Sequence, residues 1–391
     1  MDIKPTPPKP KPTPKGVPVA APRQPDAIID ETKPDTIPTA KRRWYERIGW
    51  WWIVIVLVLF ALGGGGTWWY LSRAKVVAVT VHKPIVLPKP VTVADPLTGL
   101  PVSASQAAQP IIGVMIENLD PDARPQSGLS AAGVVYEALA EGGITRFLAI
   151  MQEPLPPSIG PVRSLRPYYL DWGLEYGIPV AHAGGSQPAL ANVATTHVED
   201  INALLYDGSY FFRTTDRVAP HNLYTNDTLL PQLATKLGFS SAPSFTPRTR
   251  KADQPPKGVV PHPTIDIAFS YSDYAVEYRY DAPSNSYARW MAGTPHIDRN
   301  TGKQIMVKNV VLEYIPTSYS TQPDGKPETD IADVGSGKAV VFTDGNATVG
   351  TWTKTSQSAQ TSLTDATGKT IKLNTGNTWF EIVPTINTVT Y

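Results

Sequence analysis

Residues Glu141–Trp172 read EGGITRFLAIMQEPLPPSIGPVRSLRPYYLDW, and the fold class turns on how this stretch divides. Thr145–Met151 is a short apolar run, the pattern of a buried strand. Ser164 precedes Leu165–Tyr176, where its hydroxyl can cap a helix that Gly177 closes. Gly and Pro fill the interval, and Arg146, Arg163 and Arg166 fall at the element ends. A guanidinium is a planar fork matched to carboxylate and phosphate, so arginines set on such turns read as anion holders.

Working outward, Ile111–Ile116 is a second buried-strand pattern that ends at Glu117-Asn118, and Gly133–Leu139 is a third. Pro179–Ala183 is another short strand, followed by Gly184-Gly185-Ser186 and a helix through Val193. Asn226 or Asp227 caps a last helix that stops at Gly238. Strands and helices interleave, so residues 96–239 are expected to form an α/β or α+β domain. Residues 240–263, poor in apolar side chains, read as a linker. Beyond them every periodic run has period two, as in Val276, Tyr278 and Tyr280, and turn pairs such as Asp344-Gly345 separate some of the runs. An all-β domain, a sandwich or barrel, is therefore expected over residues 264–391.

The other end of the chain is different in kind. Residues 1–47 are rich in Pro, Lys and Thr and lack the apolar content to offset ordering, so a disordered tail is expected. Residues 48–71 carry no charge, with Trp50, Trp51 and Trp52 at one end and Trp68, Trp69 and Tyr70 at the other. That is the pattern of a transmembrane helix with interface aromatics, and Gly63–Gly66 is expected to loosen its outer end. Lys41, Arg42, Arg43 and Arg47 before it outnumber Arg73 and Lys75 after it, which favours a cytoplasmic N-terminus and places the rest outside. A spacer, 72–95, leads to the first domain.

Composition excludes several classes. With 391 residues there is room for two domains, and a net charge of +1 gives no field to attract nucleic acid. The chain has no cysteine, so disulfides, thiolate chemistry and cysteine metal sites are out. His182, His197, His221, His262 and His296 are scattered without ligand spacing, and neither metal nor cofactor is expected.

The blocks RPQSGL, VVYEALAEGGITRFLAIM, GPVRSLRPYYLDW, HAGGS and APHNLY resemble the YerB-like bacterial lipoproteins, a family of unknown function with N- and C-terminal domains. YRYDAPSNSYAR and GSGKAVVFTDGNATVGTW extend the resemblance into the second half. It implies an envelope-associated, extracytoplasmic protein and no defined activity. The chain departs from the family's lipid-anchor pattern, since the cysteine is missing and an apolar segment stands in its place.

In layered sheets ligands gather outside strand ends. On that basis Asn118, Arg146, Arg163, Arg166, Arg213, Arg217 and His221 are the expected ligand-binding set, and Glu141, His182 and His221 the candidate acid–base residues. Three readings follow. The domain binds an anionic glycan, a lipid-linked phosphate or a wall-assembly protein; or it is an enzyme acting on phosphate-linked envelope glycopolymers; or the charges are structural, tying loops together through Arg–Glu pairs such as Arg146 with Glu137 or Glu141. Ser186 lacks the glycine setting of a nucleophile elbow, and Tyr278, Tyr280, Tyr287, Trp290, Trp352 and Trp379 read as core before sugar platforms.

Overall fold

The computed structural model describes residues 49–73, 91–196, 198–239, 242–258 and 260–391. The expected tail, residues 74–90 of the spacer and His197 lie outside the described residues. The chain divides into two units, one containing the apolar helix and one spanning residues 87–391.

In the first unit α1, Trp50–Ser72, is a 23-residue helix. It stays helical through Gly63–Gly66, where looser structure was expected, and the Thr67 hydroxyl donates back to the Gly63 carbonyl. Its length of about 35 Å and its composition suffice to cross a bilayer.

The second unit is built on one ten-stranded sheet. Its first strands are β1 (Ile111–Glu117), β2 (Val134–Leu139) and β3 (Thr145–Gln152). Almost every residue in them is buried, because both sheet faces are covered, and that is why they read as unbroken apolar runs. Next come α2 (Pro167–Leu174), β4 (Val180–His182), α3 (Gln187–Thr196), β5 (Asp200–Asn202) and α4 (Leu229–Leu237). The second half adds β6 (Thr264–Ala268), β7 (Ala275–Asp281), β8 (Ser286–Met291) and β9 (Asn309–Ile315). It continues with a hairpin of β10 (Thr317–Thr321) and β11 (Pro327–Ile331), then β12 (Gly335–Thr343), β13 (Asn346–Lys354), β14 (Ser362–Asp365), β15 (Thr378–Pro384) and β16 (Val389–Thr390).

The sheet order is β14-β13-β12-β9-β15-β2-β3-β1-β4-β5. The first half is mixed α/β and the second strand-rich, as expected, but the second half does not close into its own sandwich or barrel. Its strands β9 and β12–β15 extend the sheet of the first half, and β15 lies parallel between β9 and β2, with Phe380 beside Tyr136. Register is non-local, so alternation in the sequence could not reveal it. β6, β7, β8 and β16 form a smaller antiparallel sheet.

Alternation along the strands sorts the interior into two layers. On one face Tyr136, Met115, Leu148 and Phe380 meet Tyr168, Tyr169 and Trp172 of α2. Tyr136 is sandwiched there, its ring 5.0 Å from Trp172 and 4.6 Å from Phe380. Gly173 lets α2 approach the sheet, since a Cβ there would sit 2.6 Å from Val180. On the other face Phe147, Ile116 and Trp379 pack with Ile265, Val276 and Tyr278 of the small sheet and with Leu230 and Leu233 of α4.

Three further expectations need correction. Ser164 does not cap α2, whose N-cap is Arg166 with Pro167 in the first turn. Residues 163–165 stay extended, with Leu165 bridged to Gly185. Residues 240–263 are no free spacer: Arg250-Lys251 pairs with Leu373-Asn374, and the half-buried Arg248 reaches Glu175 and stacks on Phe380.

Candidate functional site

The site is made by one extended segment crossing the ends of β1 and β3. Glu117 ends β1, Arg146 stands near the start of β3, and the two are register partners, so both side chains leave the sheet on the α2 face. Over them runs Arg163–Arg166, held by Arg163 N–H donating to the Met115 carbonyl and Leu165 N–H to the Gly184 carbonyl. Arg163 Nε donates to Glu117 Oε1 at 2.8 Å. Arg166 donates bidentately to Glu141, from Nε to Oε1 at 2.6 Å and from Nη2 to Oε2. Burial alone would raise the Glu141 carboxyl, but the hydrogen bond and charge of Arg166, helped by Arg146, hold it below its usual range. Burial likewise opposes the Arg166 charge, and Glu141 outweighs it.

Arg146 is the exception. It is 8% exposed, and its one hydrogen bond among the described residues, from Nη1 to the Ser164 carbonyl at 2.9 Å, is to a neutral acceptor. Its Nε is buried without a partner, and among the described residues no carboxylate lies within ion-pair distance. The pairs of Arg146 with Glu137 or Glu141, the example given for the structural reading, are absent, since Glu137 is taken by Arg289 and Glu141 by Arg166. Arg163–Glu117 and Arg166–Glu141, by contrast, are Arg–Glu ties of the kind that reading expects. Burial, and then the neighbouring Arg166 charge, press the Arg146 pKa down.

On the far oxygen of Glu117 stands His221, with Nδ1 3.0 Å from Oε2. A carboxylate only accepts, so Nδ1 carries a proton, and Nε2 has no partner among the described residues. Glu117 itself is 3% exposed, whereas the Arg163 and His221 side chains are partly open to solvent. His221 also lines a cleft of ≈ 730 Å³ whose walls carry Arg124, Arg217 and Arg299. Arg299 pairs with Asp216 at 2.8 Å. Arg217 is a strut across the loops, donating to the carbonyls of Ala123 and Pro125 and to the Tyr224 hydroxyl.

The remaining expected residues go elsewhere. Arg213 is tied to Asp207 and Asn222 within its own loop. His182 is fully buried, bonded to Asp200 and to the Gly184 carbonyl, and so is closed to a substrate. Asn118 is fully buried on the opposite face, held by Thr145 at 2.7 Å, Gln126 at 2.8 Å and Arg124 at 2.9 Å. It joins a network that ties the two halves together, centred on the fully buried ion pair Arg289–Glu137. There His296 accepts from Arg289 at Nδ1 and donates from Nε2 to Gln126, while burial and then the Arg289 charge keep it neutral. Arg289 was invisible as a core residue because it sits in an alternating strand as any outward polar residue would. Of the aromatics read as core from the sequence, Tyr278, Tyr287, Trp352 and Trp379 are buried, whereas Tyr280 and Trp290 are only half-buried.

Among the described residues no cluster of His, Asp and Glu has the arrangement of a metal site. Glu117 is the member of the site that sequence reading did not select. It lies 46 residues from Arg163 and 104 from His221, and the only signal was its place at a strand end.

Comparison with known proteins agrees with this architecture. Residues 97–240 match the family described as Protein of unknown function (DUF3048) N-terminal domain, and residues 265–380 match its C-terminal domain. A Bacillus subtilis relative named "Putative lipoprotein YerB" is 32% identical over 293 residues, which span 75% of this chain and 86% of that one. The crystal structure of YerB from Bacillus subtilis superimposes with a TM-score of 0.68 at 31% identity, covering 76% of this chain and 99% of that chain. Two domain matches in order, a relative at this identity and a shared fold place the chain in the YerB family of two-domain bacterial proteins of unknown function.

Proposed function

We propose that the protein is a membrane-anchored component of the cell envelope that binds an anionic envelope ligand, a wall or lipid-linked glycan bearing phosphate or carboxylate, through Arg146, Arg163 and Arg166. The observation that carries this reading is Arg146, a buried guanidinium left without a carboxylate between two arginines that have one each. Burying a lone charge is costly, and a fold that needed only structure would have given it a partner or replaced it. A visiting anion supplies that partner.

The anchoring part of the proposal rests on α1, on the name of the Bacillus relative and on the excess of basic residues before the helix. With no cysteine to acylate, α1 is the element that would hold the protein at the membrane, N-terminus inside and residues 91–391 outside.

The test is a thermal-shift titration of the full chain in detergent with pyrophosphate, a polyprenyl phosphate and a phosphate-bearing wall polymer. An anion at about 100 times its Kd stabilises the folded state by about 2.7 kcal/mol, a readable rise in Tm. The rise should vanish in Arg146→Met and Arg166→Met. A rise that persists in both variants removes this site from consideration.

A further inference from the structure

We infer that Glu117, His221 and Arg163 form an acid–base centre for cleavage of a phosphate ester, so that the protein turns over a phosphate-bearing ligand as well as binding it. The inference rests on the anion-binding reading above and goes beyond it. It stands on three observations. Glu117 accepts from His221 Nδ1 at 3.0 Å, which fixes the ring and leaves Nε2, the atom assigned as base, without a partner among the described residues. Arg163 holds the other oxygen of the same carboxylate through Nε alone. Its two terminal nitrogens have no partner among the described residues, and the shared Glu117 carboxylate ties the guanidinium and the His221 ring to one point. Finally, His221 lines a cleft large enough for a substrate, whose walls carry Arg124, Arg217 and Arg299 together with Asp122 and Asp216.

The chemistry follows from those positions. Water lying between Nε2 and the phosphorus gives its proton to His221 as its oxygen attacks. A new P–O bond forms, the ester P–O bond breaks, and the leaving oxygen departs with the bonding pair. Charge gathering on the non-bridging oxygens is met by the free edge of Arg163. Glu117 does not touch the substrate; it is a positioning residue that holds the tautomer and steadies the imidazolium. A loop tie built from the same three groups would need neither a free Nε2 nor an adjoining cleft.

The experiment uses the purified full chain in detergent with bis(4-nitrophenyl) phosphate and 4-nitrophenyl phosphate, following release of 4-nitrophenolate. Release is expected from at least one probe, the diester or the monoester naming the class. His221→Gln should lower kcat about 100-fold or more, the usual contribution of a general base, with KM little changed. Glu117→Gln, which keeps a hydrogen-bond acceptor, should lower kcat by a smaller factor, again with KM little changed. No release from either probe, or equal release by His221→Gln and the parent protein, overturns the inference. The binding reading is scored separately by the pyrophosphate-induced Tm shift in Arg146→Met, so the two fail independently.

Discussion

Arg146 sets the sharpest test at the residue scale, because stability and function should part there. Arg146→Met keeps the apolar stem and removes a buried charge that has only a carbonyl for company. The ligand-free protein should therefore gain on the order of 1 kcal/mol in a denaturant titration while losing its response to anions. Arg289→Met should do the opposite and destabilise by about 3 kcal/mol or more, since it strands Glu137 at 0% exposure. Neither difference was legible in the sequence. Arg146 and Arg289 both occur in strand-like runs, and only the tertiary partner, 152 residues away for Arg289, tells an open guanidinium from a locked one. What could be read was the company Arg146 keeps. Arg163 and Arg166 were selected with it because they share a Gly- and Pro-punctuated stretch, and the fold does bring the three together.

β9 carries the clearest pH signature among the elements. Its Glu313 is buried, Oε1 has no partner, and burial followed by the charge of Glu175 pushes its carboxyl up to about 8. The folded state keeps this proton where the unfolded chain, with an ordinary glutamate pKa near 4.3, has released it. Stability is thus highest below the unfolded pKa, falls as pH rises through the window from about 4.3 to 8, and levels off above the folded value. Glu313→Gln should flatten that part of the curve and stabilise the protein at pH 8 by on the order of 3 kcal/mol, read from chemical denaturation across pH. At the level of elements the sequence was informative for β1, β2 and β3, whose apolar runs match their burial on both sides. It failed at α2, where Ser164 has the composition of a cap but Pro167 sets the helix start two residues later than read. The extended conformation of residues 163–165 that results is what carries Arg163 to Glu117.

The two family domains are units of sequence, and the sheet makes them one structural unit across the whole molecule. β2 from the first half and β15 from the second are hydrogen-bonded over Val134–Ala138 and Thr378–Ile382, and among the described residues the ion-pair partner of Glu137 is Arg289, from beyond the apparent linker. Residues 91–391 should therefore melt in a single calorimetric transition, and residues 97–239 or 264–391 alone should lack the dispersed amide spectrum of a folded protein. Two separate transitions would contradict the shared sheet. The sequence could place strands in the second half but not their partners, because pairing between strands about 240 residues apart leaves no local trace.

The position of β15 also bears on the order in which the molecule can be finished. A chain is made from its N-terminus, so β2 waits with one edge unpaired until Thr378–Pro384, seven residues ending close to the C-terminus, arrive to cover it. While the residues between β2 and β15 are being made, the nascent protein thus offers an apolar strand edge to any neighbour, the condition that favours association with the wrong chain. A premature stop shortly before Thr378 would lengthen that exposure indefinitely. The loss of β15 should be felt as aggregation or proteolysis of the whole second unit, while Arg146, Arg163 and His221 are all still encoded.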